Sequence, residues 1–475
     1  MNKIRATIVF SVLVAIGSAS IFLSSCVEKS RDGIIIFTRN TTKSKNLNWD
    51  KPDSLRYISQ AQIVELDPYK HGSSVKILTS DFISARSPQI SYDEKYMLFT
   101  GQQKENDPWQ IWEMDLKNMK SRQVTSSKEN CTDPAYLPIG RIVFSKFSAN
   151  DTLKAVHSLY VCNMDGSNLE RITFNPDTYL ASNVLSDGRV LTIGRQVFPE
   201  QGTPEYMVLR PDGTKSELFY KGNAGSKLSG PGFETNNGRI VFIESDKSKP
   251  DRGNLISISY NRPLHSRINL TAEIKGDFRA VYPLKSGKFL VSYRQSETDR
   301  YSLYEFDPES KTLGKPVYSN NDYDVLEAVV AGKHERPKKL PSEVDMGVKT
   351  GLLLCQDINV LRTQSTGNIP RSSRIEIVGL DSILGSVDVE ADGSFYLKVM
   401  ADKPFQIRIV DKDRRVRSSP CGWIWLRPNE RRGCVGCHED PEMVPGNKVP
   451  MSVKKSPVKI PMHINKVVEK KVSLE

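Results

Sequence analysis

Gly140-Arg141-Ile142-Val143-Phe144, Gly188-Arg189-Val190-Leu191, Gly238-Arg239-Ile240-Val241-Phe242 and Gly287-Lys288-Phe289-Leu290-Val291 are one phrase written four times. Their basic residues stand 48, 50 and 49 positions apart. Glu94-Lys95-Tyr96-Met97-Leu98-Phe99 precedes them by 46, and Gly33-Ile34-Ile35-Ile36-Phe37 begins the series. A second mark, a strand ending in Asp or Asn, falls at Asp67, Asp115, Asp165, Asp212, Asn261 and Asp307, at spacings of 48, 50, 47, 49 and 46. A third is a Thr closing a strand, at Thr79, Thr125, Thr173 and Thr271. A fixed period of this length is the signature of a repeat architecture.

Each unit reads as strand, turn, strand, Asp-turn and a strand ending at Thr. One such sheet has two faces to bury and cannot bury both alone. Radial packing of four-stranded blades covers those faces and shortens the exposed edges. Six registers therefore predict a six-bladed β-propeller over roughly residues 31–335. The first repeat is longer, 62 residues, and its surplus Asn40 to Gln60 is polar, so it reads as a loop extending one face. Ser87-Pro88-Gln89-Ile90-Ser91-Tyr92-Asp93 and Arg122-Gln123-Val124-Thr125 resemble the TolB-type propeller repeat, a scaffold that hosts binding and enzyme work alike.

The whole chain has 475 residues, 67 basic against 56 acidic side chains, and 38% hydrophobic residues. These values exclude a disordered, collagenous or multi-span membrane protein. Residues 1–25 read as a lipoprotein signal peptide. Lys3 and Arg5 precede an apolar stretch from Ala6 to Leu23, and Leu23-Ser24-Ser25-Cys26 looks like a lipobox that would acylate Cys26. Several acyl chains anchor stably where one does not. Val27 rather than Asp follows the Cys, which favours the outer membrane over the inner. Without Lys3 and Arg5 the net charge is +9 (65 basic, 56 acidic). On an exported chain that charge points to a membrane surface or an acidic protein partner, and no nucleic acid is expected.

After His334-Glu335-Arg336-Pro337-Lys338-Lys339-Leu340-Pro341 the 48-residue period stops. Residues 336–420 give alternating strands such as Arg374 to Val378 and Ser394 to Val399, with an Asp392-Gly393 hairpin turn. They predict a small β-sandwich following a propeller of residues 26–335. Residues 421–475 form a haem-binding segment and a basic tail. Within them Cys434-Val435-Gly436-Cys437-His438 has the c-type haem attachment pattern. Two thiols at this spacing reach both vinyl groups, and the adjacent imidazole is carried beneath the ring to the iron. Zinc would need two further ligands close in sequence, and none has that spacing. Trp423 and Trp425 could cover a ring face, while Arg427, Arg431 and Arg432 could pair with propionates. The plain alternative puts the Trp pair in the sandwich core and the arginines in solvent. Sixth-ligand candidates are Met443, Met451, Met462 and His463, in a Pro/Lys-rich tail expected to be poorly ordered.

The run from Trp423 to Glu439, with the Asp392-Gly393-Ser394-Phe395 hairpin and a propeller upstream, resembles the hydrazine synthase alpha-subunit family. That resemblance implies covalent haem c and a haem domain docked on the propeller. It also implies a Tyr ligand to the iron four residues past the motif His, with the His itself turned to a metal. Glu442 stands at that position here, and no Tyr follows Cys437. The resemblance does not extend to the family's second haem domain, so hydrazine synthesis itself is not expected.

No GxSxG, HExxH, P-loop or Rossmann fingerprint occurs. Cys131, Cys162, Cys355 and Cys421 could form up to two bridges or remain structural thiols. His71, His157, His265 and His334 read as isolated surface or loop residues. Three functions remain: a monohaem electron-transfer lipoprotein using the propeller as a docking platform for a redox partner; a haem enzyme with an open iron site; and a haem-containing binding or sensing lipoprotein. One haem and no acid/base constellation favour the first.

Overall fold

The structure, a computed structural model, describes residues 31–461 apart from 43–55, 71–73, 151–153, 224, 229, 247–248, 360–373, 412, 414, 418–420, 437–441 and 443–445. Cys26, His71, Cys437, His438, Met443, Met462 and His463 lie outside the described residues. Among those described, the named elements are strands apart from one 3-10 turn at Met451–Lys454.

Six blades surround an axis. Blade two shows the pattern: Ser84–Ile90 lies innermost, followed outward by Tyr96–Gln102, Gln110–Asp115 and Lys120–Gln123, all antiparallel. Blades three, four and six repeat it from inner strands Cys131–Tyr136, Asp177–Val184 and Asp277–Pro283. Blade five is built on Arg239–Asp246 and Lys249–Ser259, with the short inner pieces Ser226–Leu228 and Phe233–Glu234. Blade one closes the ring, because its innermost strand is Asp324–Val330 from the far end of the propeller, paired with Ile35–Asn40.

Each sequence mark has a local cause. Gly140, Gly188, Gly238 and Gly287 sit in the first hairpin of their blades with φ between 72° and 91°, and Glu94 takes φ 60° at the same place. That left-handed turn costs Gly no steric clash. Asp67, Asp115, Asp165, Asp212 and Asp307 each accept the amide two residues on, at 2.8–3.0 Å, which makes the second turn an Asx turn. The closing threonines are buried acceptors. Thr79, Thr125, Thr173 and Thr271 take the amides of Ile63, Ile111, Leu159 and Leu255 at 2.9–3.0 Å.

The insertion in the first repeat does not simply extend a face. Its described end turns inward, where Arg56 pairs with Asp133 at 3.3 Å and the Ile58 carbonyl accepts Ser84 Oγ at 2.6 Å. Tyr57 Oη lies 2.6 Å from His157 Nε2. His157 is therefore not a surface residue: it is fully buried, its Nδ1 3.3 Å from Thr178 Oγ1. Cys131 and Cys162 belong to one blade. They pair opposite Lys146 and Ile142 of the strand between them, which keeps the thiols apart. Burial pushes these thiols up, to about 12 and about 11.

The linker follows the propeller rim. His334 donates its amide to the Tyr92 carbonyl at 3.2 Å, and Lys338 donates to Ser186 at 3.0 Å. Pro341 then accepts the Arg210 guanidinium. Beyond it, two sheets face each other. One runs in the order Arg431–Cys434, Thr350–Cys355, Phe395–Met400, Val458–Ile460; the other runs Ile383–Asp388, Arg374–Val378, Gln406–Val410. Leu353, Leu397, Ile375 and Ile407 fill the space between them. The expected disorder of the tail does not hold for residues 446–461, since Val458–Ile460 is a parallel edge strand against Leu397 to Val399.

Candidate functional site

Cys434 ends the edge strand Arg431–Cys434, which lies parallel to Thr350–Cys355 with Cys434 in register with Cys355. The strand is fixed beyond its end: Gln356 donates its amide to the Cys434 carbonyl at 2.9 Å, and Asp357 donates to Val435 at 3.2 Å. Cys434 is half-buried and packs against the sandwich core. Gly433 beside it is exposed, and a Cβ there would meet nothing within 4 Å. The two residues face opposite sides of the strand, Gly433 toward open space and Cys434 toward the core. Cys421 lies in the same core, its sulfur accepting the Ile407 amide at 3.2 Å.

The side chains expected to wall such a group divide differently. Trp425 is buried in a propeller cluster with Leu137, Val143 and Leu159, its ring 6.4 Å from that of Tyr179 in an edge contact. Trp423 donates its indole N–H to the Phe198 carbonyl at 2.7 Å and stacks on the Phe198 ring. Both indoles are thus committed to the propeller, neither to solvent nor to the centre of the sandwich.

Arg427 is 2% exposed, and each of its guanidinium nitrogens is engaged within the fold. It donates to the Asp212 carbonyl at 2.9 Å, to Asp402 at 2.9 Å and to Glu170 at 2.6 Å, with the Phe174 ring 4.8 Å from its centre. Three of its five N–H groups are thus committed to the junction of sandwich and propeller. Arg432 pairs with Glu430 at 2.7 Å, and Arg431 is exposed on the edge strand. Of the three arginines, Arg431 keeps a solvent-facing position beside Cys434.

Glu430, Glu170 and Asp402 were not singled out from sequence. Glu430 is completely buried and accepts the amides of Lys215 and Arg427, both at 2.8 Å, besides Arg432. One acid among Arg427, Arg431 and Arg432 was the available signal. Burial raises the Asp402 carboxyl although Arg427 beside it works the other way. Against its own burial, hydrogen bonds from Thr214 and from the Glu343 amide hold the Asp212 carboxyl below the usual range.

Two further residues bear on the site. Glu442 accepts the Leu264 amide at 2.5 Å, so the chain beyond the motif returns to blade five. Met451 is 41% exposed, its amide held by Asp392 at 2.8 Å. Lys448 just before it reaches Asp357, the residue that holds Val435. This brings the Met451 turn to the same end of the sandwich as Cys434.

Residues 333–439 match the model of the hydrazine synthase alpha subunit middle domain. Hydrazine synthase subunit alpha of Kuenenia stuttgartiensis is 23% identical over 496 aligned positions, covering 77% of this chain. The chain spans 61% of that relative's length. The solved Kuenenia stuttgartiensis hydrazine synthase superposes with a TM-score of 0.75 at 20% identity, over 89% of this chain and 71% of the other. TolB from Acinetobacter baumannii gives 0.42 at 13% identity, over 64% and 69%.

Proposed function

We propose, from this chain's place in a hydrazine synthase alpha-like family, that it is an exported, lipid-anchored monohaem c-type protein whose propeller is a docking platform for electron transfer. Cys434 and Cys437 hold the haem by thioether bonds, His438 is the proximal ligand to the iron, and Cys26 bears the lipid. The group supplies a one-electron couple when bound. The surroundings of Cys434 support this reading. Arg427 and Glu430 bind the sandwich to blades three and four, and the Arg431–Cys434 edge strand ends at the half-buried first thiol. A position at a sheet edge suits exchange with a protein partner, and the relative's description as a subunit supports such a partner.

The observation that carries this reading is Cys434 at a braced sheet edge, opening the CxxCH motif. Expression of the full chain with a cytochrome c maturation system should give a protein that keeps haem after denaturation. Changing both Cys434 and Cys437 to Ala should abolish retention, and retention by that double variant would sink the reading.

A second reading, a haem enzyme with an open iron position, is favoured by the extent of the match to hydrazine synthase, 89% of this chain.

A further inference from the structure

Cys434 has a second cysteine directly across its strand ladder. Arg431–Cys434 runs parallel to Thr350–Cys355, with Leu353 opposite Arg432 and Cys355 opposite Cys434. The pairing is fixed at both ends. Leu352 donates its amide to the Glu430 carbonyl at 2.8 Å, and Gln356 donates to the Cys434 carbonyl at 2.9 Å. A slip by one residue would break both bonds and turn every side chain of the strand to the other face. Side chains alternate along each strand, so residues in register point to one face. Leu353 and Cys355 are buried in the core between the two sheets, and Cys434 packs against that same core. Arg431 and Gly433, of the opposite parity, are exposed. The two sulfurs therefore share one side of the sheet, on neighbouring strands, at the same level.

A disulfide needs Cα atoms about 4.4–6.8 Å apart and Cβ vectors that do not diverge. Adjacent strands place residues in register about 4.8 Å apart, inside that window, and the shared face directs both Cβ atoms the same way. Parallel Cβ vectors keep the Cβ atoms near that same spacing, wider than the usual ~3.8 Å, so the closed bond is strained and readily reduced. Cys434 ends an edge strand, and closing the gap moves one side of the ladder only. Cys421 is a third cysteine of this core, but its sulfur accepts the amide of Ile407, in the facing sheet, at 3.2 Å. The structure shows these residues as thiols.

We propose that Cys355 and Cys434 form a reversible disulfide in an oxidising environment. Cys355 is 1% exposed and Cys434 half-buried, so an oxidant meets Cys434 first. The Cys434 thiol gives up its proton, and its sulfur attacks an oxidant disulfide such as oxidised glutathione, releasing one glutathione thiol. Cys355 then gives up its proton and attacks the Cys434 sulfur of the mixed disulfide, releasing the second. The pair loses two electrons and two protons, and the oxidant takes them up as two thiols. Thioether formation uses the same sulfur differently: the Cys434 S–H adds across a vinyl group without net oxidation. On the haem reading above, the bridge therefore excludes haem from Cys434 until a dithiol reduces it. That competition rests on the haem reading; the bridge itself does not.

The full-length chain, expressed without a haem maturation system and equilibrated in glutathione buffers of graded potential, tests the bridge. Peptide mapping without reduction should show the Cys355 and Cys434 peptides joined, and dithiothreitol should part them. Cys434 joined instead to Cys437 or Cys421, or alkylated as a thiol across the whole range, overturns the proposal. This map uses the wild type, so it does not depend on a variant that folds. Incubation with reduced haem gives a second readout. The bridged chain should take up about tenfold less covalent haem than chain reduced beforehand, and Cys355→Ala, or Cys355→Ser if that variant does not fold, should remove the difference. Equal uptake by bridged and reduced wild type overturns the competition, as does a difference that persists without Cys355. A mapped bridge in a chain that takes up no haem even when reduced supports the pair and counts against the haem reading instead.

Discussion

Arg427 of the sandwich places its guanidinium 2.6 Å from the Glu170 carboxylate on blade three, with 2% of the arginine side chain exposed against 41% of the glutamate's. The charge is buried on the sandwich side and its partner is wetted on the propeller side. Glu430, three residues on, orders the same junction from the other direction through the Lys215 amide. The two domains thus share a charge network, buried at Arg427 and Glu430, and the Cys434 strand begins one residue after Glu430.

Removing one member of a buried pair costs more than the pair contributes, because its partners stay behind without compensation. Glu170 and Asp402 keep some contact with water, so Arg427→Leu should destabilise the protein by about 1–3 kcal/mol, through the Asp212 carbonyl and the partly buried Asp402. Urea denaturation should resolve separate propeller and sandwich transitions in the variant, with faster proteolysis at the 336–341 linker. A single transition shifted by less than about 1 kcal/mol would count against the lock.

The blade-closing threonine makes a smaller, repeated prediction. Thr125→Val strands the buried Ile111 amide and should cost about 1–3 kcal/mol, whereas Thr125→Ser keeps the acceptor and should cost less. Equal losses for Val and Ser in thermal melts would mean that packing of the methyl, not the hydrogen bond, matters there.

Those threonines show why the propeller was legible. The αL glycine, the Asx turn and the threonine acceptor are each local chemistry, so each leaves its residue in every repeat where it operates. The bulges in the innermost strands, between Arg86 and Gln89, Thr132 and Ala135, Leu180 and Asn183, and Phe278 and Ala280, left a fainter trace. A bulge needs one extra residue and tolerates Ser87, Asp133, Ala181 or Arg279 alike, so no residue type recurs for the eye to find. The CxxCH spacing is equally short-range and stands in the sequence itself. The partners of Trp423, Trp425 and Arg427 were not, because Phe198, Tyr179 and Glu170 lie more than 200 residues away. An aromatic and basic run ahead of a CxxCH motif reads equally well as pocket or as interface until the fold brings in the other half.

Asp177 makes stability depend on pH. Its Oδ1 is enclosed without a hydrogen-bond partner, while Asn175 donates to Oδ2 at 2.7 Å. Burial, with Glu205 nearby, raises its carboxyl to about 7. An unfolded Asp titrates near ~3.9, so between about pH 4 and 7 the unfolded chain releases a proton that the folded chain keeps. Stability from this group is complete below about pH 4 and is lost as pH rises to 7, by up to about 1.4 kcal/mol per pH unit. Asp177→Asn should flatten that part of the curve and gain most above pH 7. Parallel stability curves for the two proteins from pH 4 to 8 would refute the assignment.

Iron ligation separates the electron-transfer and enzyme readings. Met451 is held by Asp392 in a turn that Lys448 ties to Asp357, at the end of the sandwich where Cys434 lies, and its side chain is 41% exposed. Of the four tail candidates it is the one within the described residues. A strong axial thioether sets the potential and suits electron transfer, whereas an open position suits ligand binding or catalysis. Holding the Met451 amide to Asp392 favours a fixed turn over a free arm, and with His438 proximal a five-coordinate or weakly six-coordinate iron is expected. Reduced protein should then bind carbon monoxide readily, and Met451→Ala should leave that binding and the spectrum almost unchanged. A low-spin spectrum indifferent to the gas, becoming responsive only in Met451→Ala, would instead establish Met451 as the ligand and strengthen the electron-transfer reading.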